Sequence, residues 1–261
     1  FMRSASRFFA DENLVFKKWG FDKIVAREDF YEREELRKYI YGWGLEDRVL
    51  YDEVTKELER RRDDKVFVTV LGTDMHPLHG QCCFTGLEYP KLPGDFKTAF
   101  RTAQKFMRAA HHVDYDLARF VDGLEQRGLL GDDALLFILA DHACPPNAVT
   151  MRIPGHTKEP LGKIPFVVYA PGAKNLKIDK DRLASQIDVA PTIAHLMGLP
   201  IPAGWWGESL FADVKKNPAI GYSNGMMQLT MSNGERRLYN LKKRDSVPAD
   251  IAELFSTVFV E

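Results

Sequence analysis

The sequence predicts an α/β domain in which helices cover a mainly parallel central sheet. Three short apolar runs, at positions 66–71, 134–140 and 164–170, have the length and composition of strands that are buried on both faces. Segments of helical periodicity separate these runs, and strands that alternate with helices are typical of a parallel sheet. No repeat, low-complexity tract or Gly/Ser linker divides the chain, so we expect a single unit.

The helices are predicted from polarity and spacing. A polar helix is expected over 46–62, a long amphipathic helix over 95–127 and a shorter helix over 185–197. Gly128 and Gly198 follow the second and third of these segments, and glycine is the usual residue just past a helix end.

The long helix carries a buried apolar stripe in this prediction. Asp114 lies inside the stripe, so we expect a carboxylate that is carried into an apolar interface and needs a partner there. His111 flanks the stripe and His112 points away from it, and His195 lies among helix-packing residues, so these three histidines are predicted to be structural. The stripe consists of Phe96, Phe100, Ala103, Met107, Ala110, Leu117, Val121 and Leu124.

Within the single unit we distinguish a helical lead-in over 1–62, a core over 63–211 and a tail over 212–261. In the tail, 219–223 and 236–242 have the pattern of two strands, which we place at a sheet edge.

Charge and hydropathy exclude several classes of partner. The chain has 261 residues, and 36 Lys and Arg against 37 Asp and Glu leave a formal net charge of -1. No whole-chain field is therefore present to hold a polyanion, which argues against nucleic acid as a partner. No apolar run approaches the roughly 18 residues of a membrane helix, and the first residues show no signal-peptide pattern.

The three cysteines give no disulfide framework. Cys82 and Cys83 are adjacent, so a bridge between them would be strained. Pairing of one of them with Cys144 is the intrachain disulfide worth considering, and three small buried residues are the favoured alternative.

Asp141 and His142 directly follow the second apolar run. A carboxylate and an imidazole at a strand end can both reach one divalent cation. The alternative is a salt-bridged pair that caps the strand. The apolar residues before the pair and the segment Ala-Cys-Pro-Pro at 143–146 after it favour the metal role.

His76 ends the first strand loop and precedes Pro77, which restricts the backbone. Its imidazole could donate to a phosphate or sulfate oxygen or protonate a leaving group, and a turn-capping histidine is the alternative. His156 and Lys158 precede the third strand and could stabilise charge on an anionic ester, or could simply be exposed. Ligand sites in such sheets form beyond the carboxyl ends of the strands, so we expect His76 to converge with the Asp-His pair.

The order of these elements resembles the sulfatase branch of the alkaline phosphatase superfamily. Residues 19–22 (Trp-Gly-Phe-Asp), 43–47 (Trp-Gly-Leu-Glu-Asp) and the His76 loop look most like the lipoteichoic acid synthase type, which are membrane-anchored phosphoglycerol transferases. The resemblance covers about residues 8–211. Its further elements are the strand and loop at 66–78, Asp114 with 128–130, the strand and Asp-His pair at 134–142, and the segments 163–172 and 185–200.

The resemblance implies a metal-dependent attack by a Thr, Ser or formylglycine nucleophile on a phosphate or sulfate ester, through a covalent intermediate. It gives Asp141 and His142 the role of holding one divalent ion (Mn, Mg, Zn or Ca), and His76 that of contacting substrate oxygens. His156 is a looser match to a further active-site histidine or lysine. The resemblance also implies a bacterial cell membrane protein with its catalytic domain outside the cytoplasm, and a substrate that is lipid- or glycan-linked.

Two departures from the family bear on function. The family places its nucleophile and another acidic metal ligand upstream of 19–22, and no Cys-x-Pro-Ser-Arg motif replaces them, so we expect a C-terminal portion that lacks the first strands of the sheet and is inactive without them. At 8–12 the transferases carry a Trp and an Arg that hold glycerol phosphate, and neither is present here. A true sulfatase and a catalytically inactive binding module of the same fold are the alternatives.

Overall fold

The computed structural model describes residues 1–76, 101–143, 163–173, 176, 179, 181–213, 217–223, 225–243 and 247–258, with the side chains of 101–106 and a few other positions left out. The described residues form two compact units. One contains those from Phe1 to Leu136, and the other contains those from Phe137 onward.

The first unit is built from short strands and helices that precede one long helix. Its elements are β1 (Met2–Arg3), α1 (Glu12–Lys18), α2 (Arg27–Tyr31), α3 (Glu34–Arg37), β2 (Ile40–Tyr41), β3 (Gly44–Leu45), α4 (Asp47–Arg60), β4 (Val70–Leu71) and α5 (Arg101–Gln126). The position of α4 confirms the polar helix predicted over 46–62.

β1 and β4 pair in parallel, with Met2 opposite Val70. The parallel pairing agrees with the predicted sheet type, but the strand predicted over 66–71 is shorter than expected. Phe67 is 61% exposed, so the prediction that this run is buried on both faces is wrong at its start. The backbone N–H of Met2 donates to the carbonyl of Thr69 at 2.8 Å, so the pairing includes one residue before Val70.

The core of the first unit forms where β1, β3 and α4 meet. Apolar side chains of these elements pack on α2 and α3, and Phe120 of α5 lies against the same cluster. Burial of this apolar surface is the main force that holds the short elements together. The buried members are Met2, Phe30, Leu36, Leu45, Val49, Leu50 and Val54.

α5 ends as predicted, with Gly128 at φ +66°, but its buried face is not the predicted one. Asp114 is exposed, whereas His112 and Asp116 are buried, with Nε2 of His112 lying 2.8 Å from Oδ2 of Asp116. The predicted orientations of Asp114 and His112 are therefore wrong. Two residues correspond to about 200° around a helix, so a face that includes Asp116 turns Asp114 to solvent.

Among its described residues, the second unit forms two sheets. Its elements are β5 (Leu136–Leu139), β6 (Phe166–Tyr169), a 3-10 turn (Gln186–Asp188) that leads into α6 (Val189–Leu196), β7 (Ala219–Ser223), β8 (Met226–Thr230), β9 (Arg236–Asn240) and α7 (Ala249–Val258). β5 and β6, which pair with each other, occupy the positions of the second and third predicted strands. Val167 of β6 is 51% exposed, however, so the expectation of burial on both faces is not met in the described part of the chain.

The tail differs from its prediction. β7 and β9 lie where two strands were expected, but both pair antiparallel with β8, which the sequence analysis missed. The resulting three-stranded sheet packs on α7 through Ile220, Met227, Leu229 and Ile251. Among the described residues, none of the helices has both the length and the apolar character needed to cross a membrane.

Candidate functional site

The carboxyl ends of β1 and β4 lie side by side in the first unit, because the two strands are parallel. Ser4 follows β1, and its hydroxyl lies 2.7 Å from the hydroxyl of Thr73, which follows β4. The backbone N–H of Ser4 donates to the carbonyl of Leu71 at 3.1 Å, which extends the strand pairing to this point. This edge is where a ligand site is expected in a parallel α/β sheet.

Asp47 and Asp74 hold this edge together by reciprocal hydrogen bonds. The Asp47 carboxylate accepts from the backbone N–H of Thr73 at 2.8 Å and of Asp74 at 3.1 Å. In return, the Asp74 carboxylate accepts from the backbone N–H of Asp47 at 3.0 Å, and from the hydroxyl of Tyr41 at 3.4 Å. The first turn of α4 is thereby fixed to the loop that follows β4.

The Asp47–Asp74 pair is buried and closely packed. A Cβ on Gly72 would lie 2.3 Å from Oδ2 of Asp47, so glycine is needed there for the carboxylate to approach the loop. Burial raises the pKa of Asp47. Burial, together with the neighbouring Asp47 carboxylate, raises the pKa of Asp74. The low dielectric and the like charge both disfavour ionisation, which explains the direction of the two shifts.

His76 lies at the end of this loop. Its backbone N–H donates to the carbonyl of Thr73 at 2.9 Å, and its ring stacks on Trp43 with the ring centroids 4.2 Å apart. Trp43 in turn contacts Phe9 at 5.5 Å between ring centroids. The predicted substrate-binding histidine is therefore placed by the Asp47–Asp74 pair on one side and by an aromatic neighbour on the other.

Asp141 and His142 lie in the second unit, just beyond β5. Their side chains are 66% and 68% exposed, and Nε2 of His142 lies 3.7 Å from Oδ2 of Asp141. The backbone N–H of His142 donates to Oδ1 of Asp141 at 2.9 Å, which leaves Oδ2 on the side of the imidazole. The structure thus brings the two predicted metal ligands together.

The Asp141–His142 pair has donor atoms that bind divalent metal ions, and its imidazole is in the tautomer that leaves Nε2 able to bind one. Nδ1 of His142 lies 2.8 Å from the carbonyl of Ala143, and a carbonyl oxygen can only accept, so Nδ1 carries the proton. Nε2 then has a free lone pair, which is the form of imidazole that binds metals. Two ligands about 2.1 Å from one ion lie about 3.0 to 3.4 Å apart, so a small side-chain movement would bring both onto one ion.

Gln186 holds the backbone of this strand end. Its side-chain amide donates to the carbonyl of Asp141 at 2.6 Å and to that of Ala140 at 3.1 Å. No role for Gln186 was predicted from the sequence. Its position in the segment 185–200, which carries the family resemblance, was the available signal.

The remaining candidates are structural or lie outside the described residues. His195 contacts the hydroxyl of Ser209 at 2.7 Å and packs on Phe211, in keeping with a packing role. His156, Lys158 and the three cysteines lie outside the described residues. Among the described residues, no group of three or more His, Cys, Asp or Glu side chains could hold a metal ion. The convergence of His76 with the Asp141–His142 pair stays a prediction.

Comparison with solved structures supports the fold. A protein in the alkaline phosphatase superfamily from Vibrio parahaemolyticus superimposes with a TM-score of 0.62 at 17% sequence identity, over 98% of this chain and 62% of that chain. The chain therefore has the α/β fold of the alkaline phosphatase superfamily, as predicted.

Comparison with protein families is more specific. The family model described as Sulfatase matches residues 1–199, which is most of the chain. The protein belongs to the sulfatase family, and the predicted relationship is confirmed.

Two curated relatives are lipoteichoic acid synthases. That of Staphylococcus saprophyticus is 27% identical over 199 residues, which cover 73% of this chain and 29% of the relative. Lipoteichoic acid synthase 2 of Bacillus subtilis is 25% identical over 200 residues, with the same two coverages of 73% and 29%. The chain spans less than a third of the length of these relatives.

Proposed function

We propose that this chain is part of a metal-dependent enzyme that hydrolyses or transfers phosphate or sulfate esters through a covalent intermediate. The observation that carries the proposal is the Asp141–His142 pair, an exposed carboxylate beside an imidazole whose Nε2 is left free for a metal by the bond from Nδ1 to Ala143. Membership of the sulfatase family supports the same reaction class.

In this proposal Asp141 and His142 hold one divalent ion (Mn, Mg, Zn or Ca), and the remaining ligands and the nucleophile lie outside the described residues. When bound, the ion would withdraw charge from an ester oxygen. His76 contributes a ring N–H to a substrate oxygen, and its stacking on Trp43 limits the rotation of the imidazole. His156 is proposed as a second contact to the substrate.

The transferred group and the location of the protein are further parts of the proposal. Similarity to lipoteichoic acid synthases supports an enzyme of the bacterial cell membrane that acts outside the cytoplasm on a lipid- or glycan-linked substrate. Phe9 and Asp11 stand in the segment where the resemblance leads us to expect a Trp and an Arg that hold glycerol phosphate. This difference favours a transferred group other than glycerol phosphate, and a sulfate ester is the second candidate substrate.

The proposal is tested with Asp141→Asn and His142→Ala in the full-length protein. We expect each variant to lower Mn²⁺ affinity and to reduce turnover of p-nitrophenyl phosphate or p-nitrophenyl sulfate by at least about 100-fold, because each removes a metal ligand. Circular dichroism and the urea unfolding midpoint should stay unchanged, since both side chains are exposed. Whether the wild-type protein turns over p-nitrophenyl phosphate or p-nitrophenyl sulfate faster shows whether it acts on phosphate or on sulfate esters.

Asp132→Asn is the matched control, because Asp132 is an exposed carboxylate near the other end of β5. This variant should keep wild-type turnover and metal affinity. Retained turnover in Asp141→Asn or in His142→Ala would contradict the metal role, whatever the metal affinity.

A further inference from the structure

The 3-10 turn Gln186–Asp188 supports the end of β5 that carries the proposed metal ligands. Gln186, the first residue of the turn, donates its side-chain amide to the carbonyls of Ala140 and Asp141. Gln186 is itself exposed, so its hydrogen bonds hold this backbone in place only if the turn that carries it is fixed. The last residue of the turn, Asp188, makes the contacts that fix it.

Asp188 is completely buried in the second unit, with an exposed fraction of 0%. Its Oδ2 accepts from the backbone N–H of Ser185 at 2.8 Å, and its Oδ1 accepts from the backbone N–H of Glu208 at 2.9 Å. One carboxylate therefore ties the residue that precedes Gln186 to a segment that follows α6.

The segment that follows α6 packs closely against the turn. A Cβ on Gly207 would overlap the carbonyl oxygen of Ile187, so glycine is needed there for the two backbones to approach. The buried hydroxyl of Thr192 donates to the carbonyl of Asp188 at 2.6 Å and accepts from the backbone N–H of Leu210 at 2.9 Å. Buried groups thus hold the turn, while Gln186 reaches from it to the strand end.

We propose that Asp188 is a positioning residue for the metal site and acts through Gln186 on the backbone of Asp141 and His142. This inference rests on the proposed function, since it adds a support to the metal ligands assigned there. Groups that orient metal ligands raise metal affinity, because ligands that are already held in place lose less conformational freedom when the ion binds. Asp188 is buried among backbone donors, so it contributes to the site by holding the turn and not as a ligand.

A purely structural role for Asp188 leads to different expectations. Asp188→Asn keeps one acceptor oxygen and places an NH₂ group against a backbone N–H, so either role predicts a less stable protein. Only the positioning role predicts that the folded variant also binds Mn²⁺ more weakly. It further predicts that this loss disappears when the Gln186 amide is already removed, because the two side chains act in one chain of hydrogen bonds.

The test measures the Mn²⁺ affinity of the full-length protein by isothermal titration calorimetry for the wild type, Gln186→Ala, Asp188→Asn and the double variant. We expect Asp188→Asn to weaken Mn²⁺ binding by roughly 3- to 10-fold, and the double variant to bind Mn²⁺ as Gln186→Ala does. In the metal-free protein, backbone hydrogen–deuterium exchange over residues 139–143 should be faster in Asp188→Asn than in the wild type.

Ser185→Ala is a milder variant that decides the question if Asp188→Asn does not fold. It removes the Ser185 hydroxyl, which donates to Oδ2 of Asp188 at 3.3 Å, and keeps the backbone donor. Mn²⁺ affinity and exchange over 139–143 should change in the same directions as in Asp188→Asn, by smaller amounts. Wild-type values of both quantities in a folded Ser185→Ala would contradict the proposal.

Ser209→Ala is the matched control, because Ser209 is a buried residue of the segment that Asp188 holds. Its hydroxyl lies 2.7 Å from Nδ1 of His195 and accepts from the backbone N–H of Phe211 at 3.2 Å. The variant should lower the stability and leave Mn²⁺ affinity and exchange over 139–143 unchanged.

Three results would overturn the positioning role alone. These are wild-type Mn²⁺ affinity in Asp188→Asn, an equal loss of affinity in Ser209→Ala, and additive losses in the double variant of Gln186 and Asp188. Failure of the wild-type protein to bind Mn²⁺ would overturn the proposed function as well.

Discussion

The two strand ends that carry the candidate residues are built in opposite ways. Beyond β1 and β4, Asp47 and Asp74 are buried, and their carboxylates accept hydrogen bonds from backbone groups of each other's segment. Beyond β5, Asp141 and His142 are about two-thirds exposed, and their side chains contact adjacent residues or each other. One end is a structural junction, and the other leaves its donor atoms open to a ligand.

This difference separates the residues that hold the fold from those proposed to carry the chemistry. A buried carboxylate whose oxygens accept hydrogen bonds from backbone N–H groups has few lone pairs left to bind a ligand. An exposed carboxylate beside an imidazole nitrogen with a free lone pair keeps most of its lone pairs for a ligand. The junction at Asp47 and Asp74 fixes the loop that carries His76. Changes there should act first on stability, and changes at Asp141 or His142 should act first on metal binding.

The largest effect on stability is expected from Asp47→Ala. This variant leaves the backbone N–H groups of Thr73 and Asp74 without their acceptor in a buried place, which should lower the free energy of unfolding by about 3 kcal/mol. Asp47→Asn keeps one acceptor oxygen and should cost about 1 kcal/mol. Urea unfolding followed by circular dichroism measures both.

Asp52→Ala serves as the control for Asp47→Ala, because Asp52 is an exposed carboxylate on the same helix, α4. Asp52→Ala and Asp141→Ala should each change the free energy of unfolding by no more than about 0.5 kcal/mol. If Asp141→Ala were as destabilising as Asp47→Ala, the contrast between the two strand ends would not hold.

A smaller effect is expected from pH, again at the buried strand end. The pKa of Asp74 is raised to about 8, from the ordinary value of 3.8, by burial and by the Asp47 carboxylate. Between these two values the unfolded chain has lost this proton and the folded chain retains it, so the stability falls as the pH rises. We expect a loss of up to about 2 kcal/mol between pH of about 6.5 and 8.

Asp74→Asn isolates this contribution, because its side chain cannot titrate. The difference in stability between the wild type and Asp74→Asn should shift in favour of the variant as the pH rises over the same range. A difference that is independent of pH would show that Asp74 titrates at its ordinary pKa. The comparison also cancels the titration of groups that do not interact with Asp74.

The fold class and the helices α4, α5 and α6 could be predicted from the sequence because their signals are local. α4, the end of α5 at Gly128 and the strands β5 and β6 all lie where periodicity and composition place them. The strands β1, β2, β3 and β8 and the helices α1, α2, α3 and α7 were missed. β1 has two residues, too few for a pattern, and its pairing partner β4 lies more than 60 residues away along the chain.

The buried face of α5 was misread for a related reason. His112 and Asp116 face the interior as a polar pair, so an apolar stripe drawn through Ala110 and Leu117 included Asp114 instead. Hydrophobic spacing identifies an amphipathic helix, but it cannot show where two polar side chains lie against each other inside an interface.

The candidate site was predictable only where adjacent residues define it. Asp141 and His142 could be found because they follow an apolar run directly. Asp47 and Gln186 act on partners that lie 27 and 45 residues away, and one sequence holds no signal for such pairings. Positioning residues of this kind need the structure, because their hydrogen bonds exist only after the chain has folded.

Gln186 gives the smallest and most local test of the exposed strand end. In Gln186→Ala the carbonyls of Ala140 and Asp141 lose their amide donor, so the backbone that carries Asp141 and His142 is less well fixed. We expect Mn²⁺ affinity of the full-length protein to fall roughly 10-fold, as is typical when a group that orients metal ligands is removed. The unfolding midpoint should change little, because Gln186 is exposed. Gln228→Ala is the control: it removes a side-chain amide that donates to the Thr230 hydroxyl within β8, and it should alter neither quantity. An unchanged Mn²⁺ affinity in Gln186→Ala would show that Gln186 does not position the metal ligands.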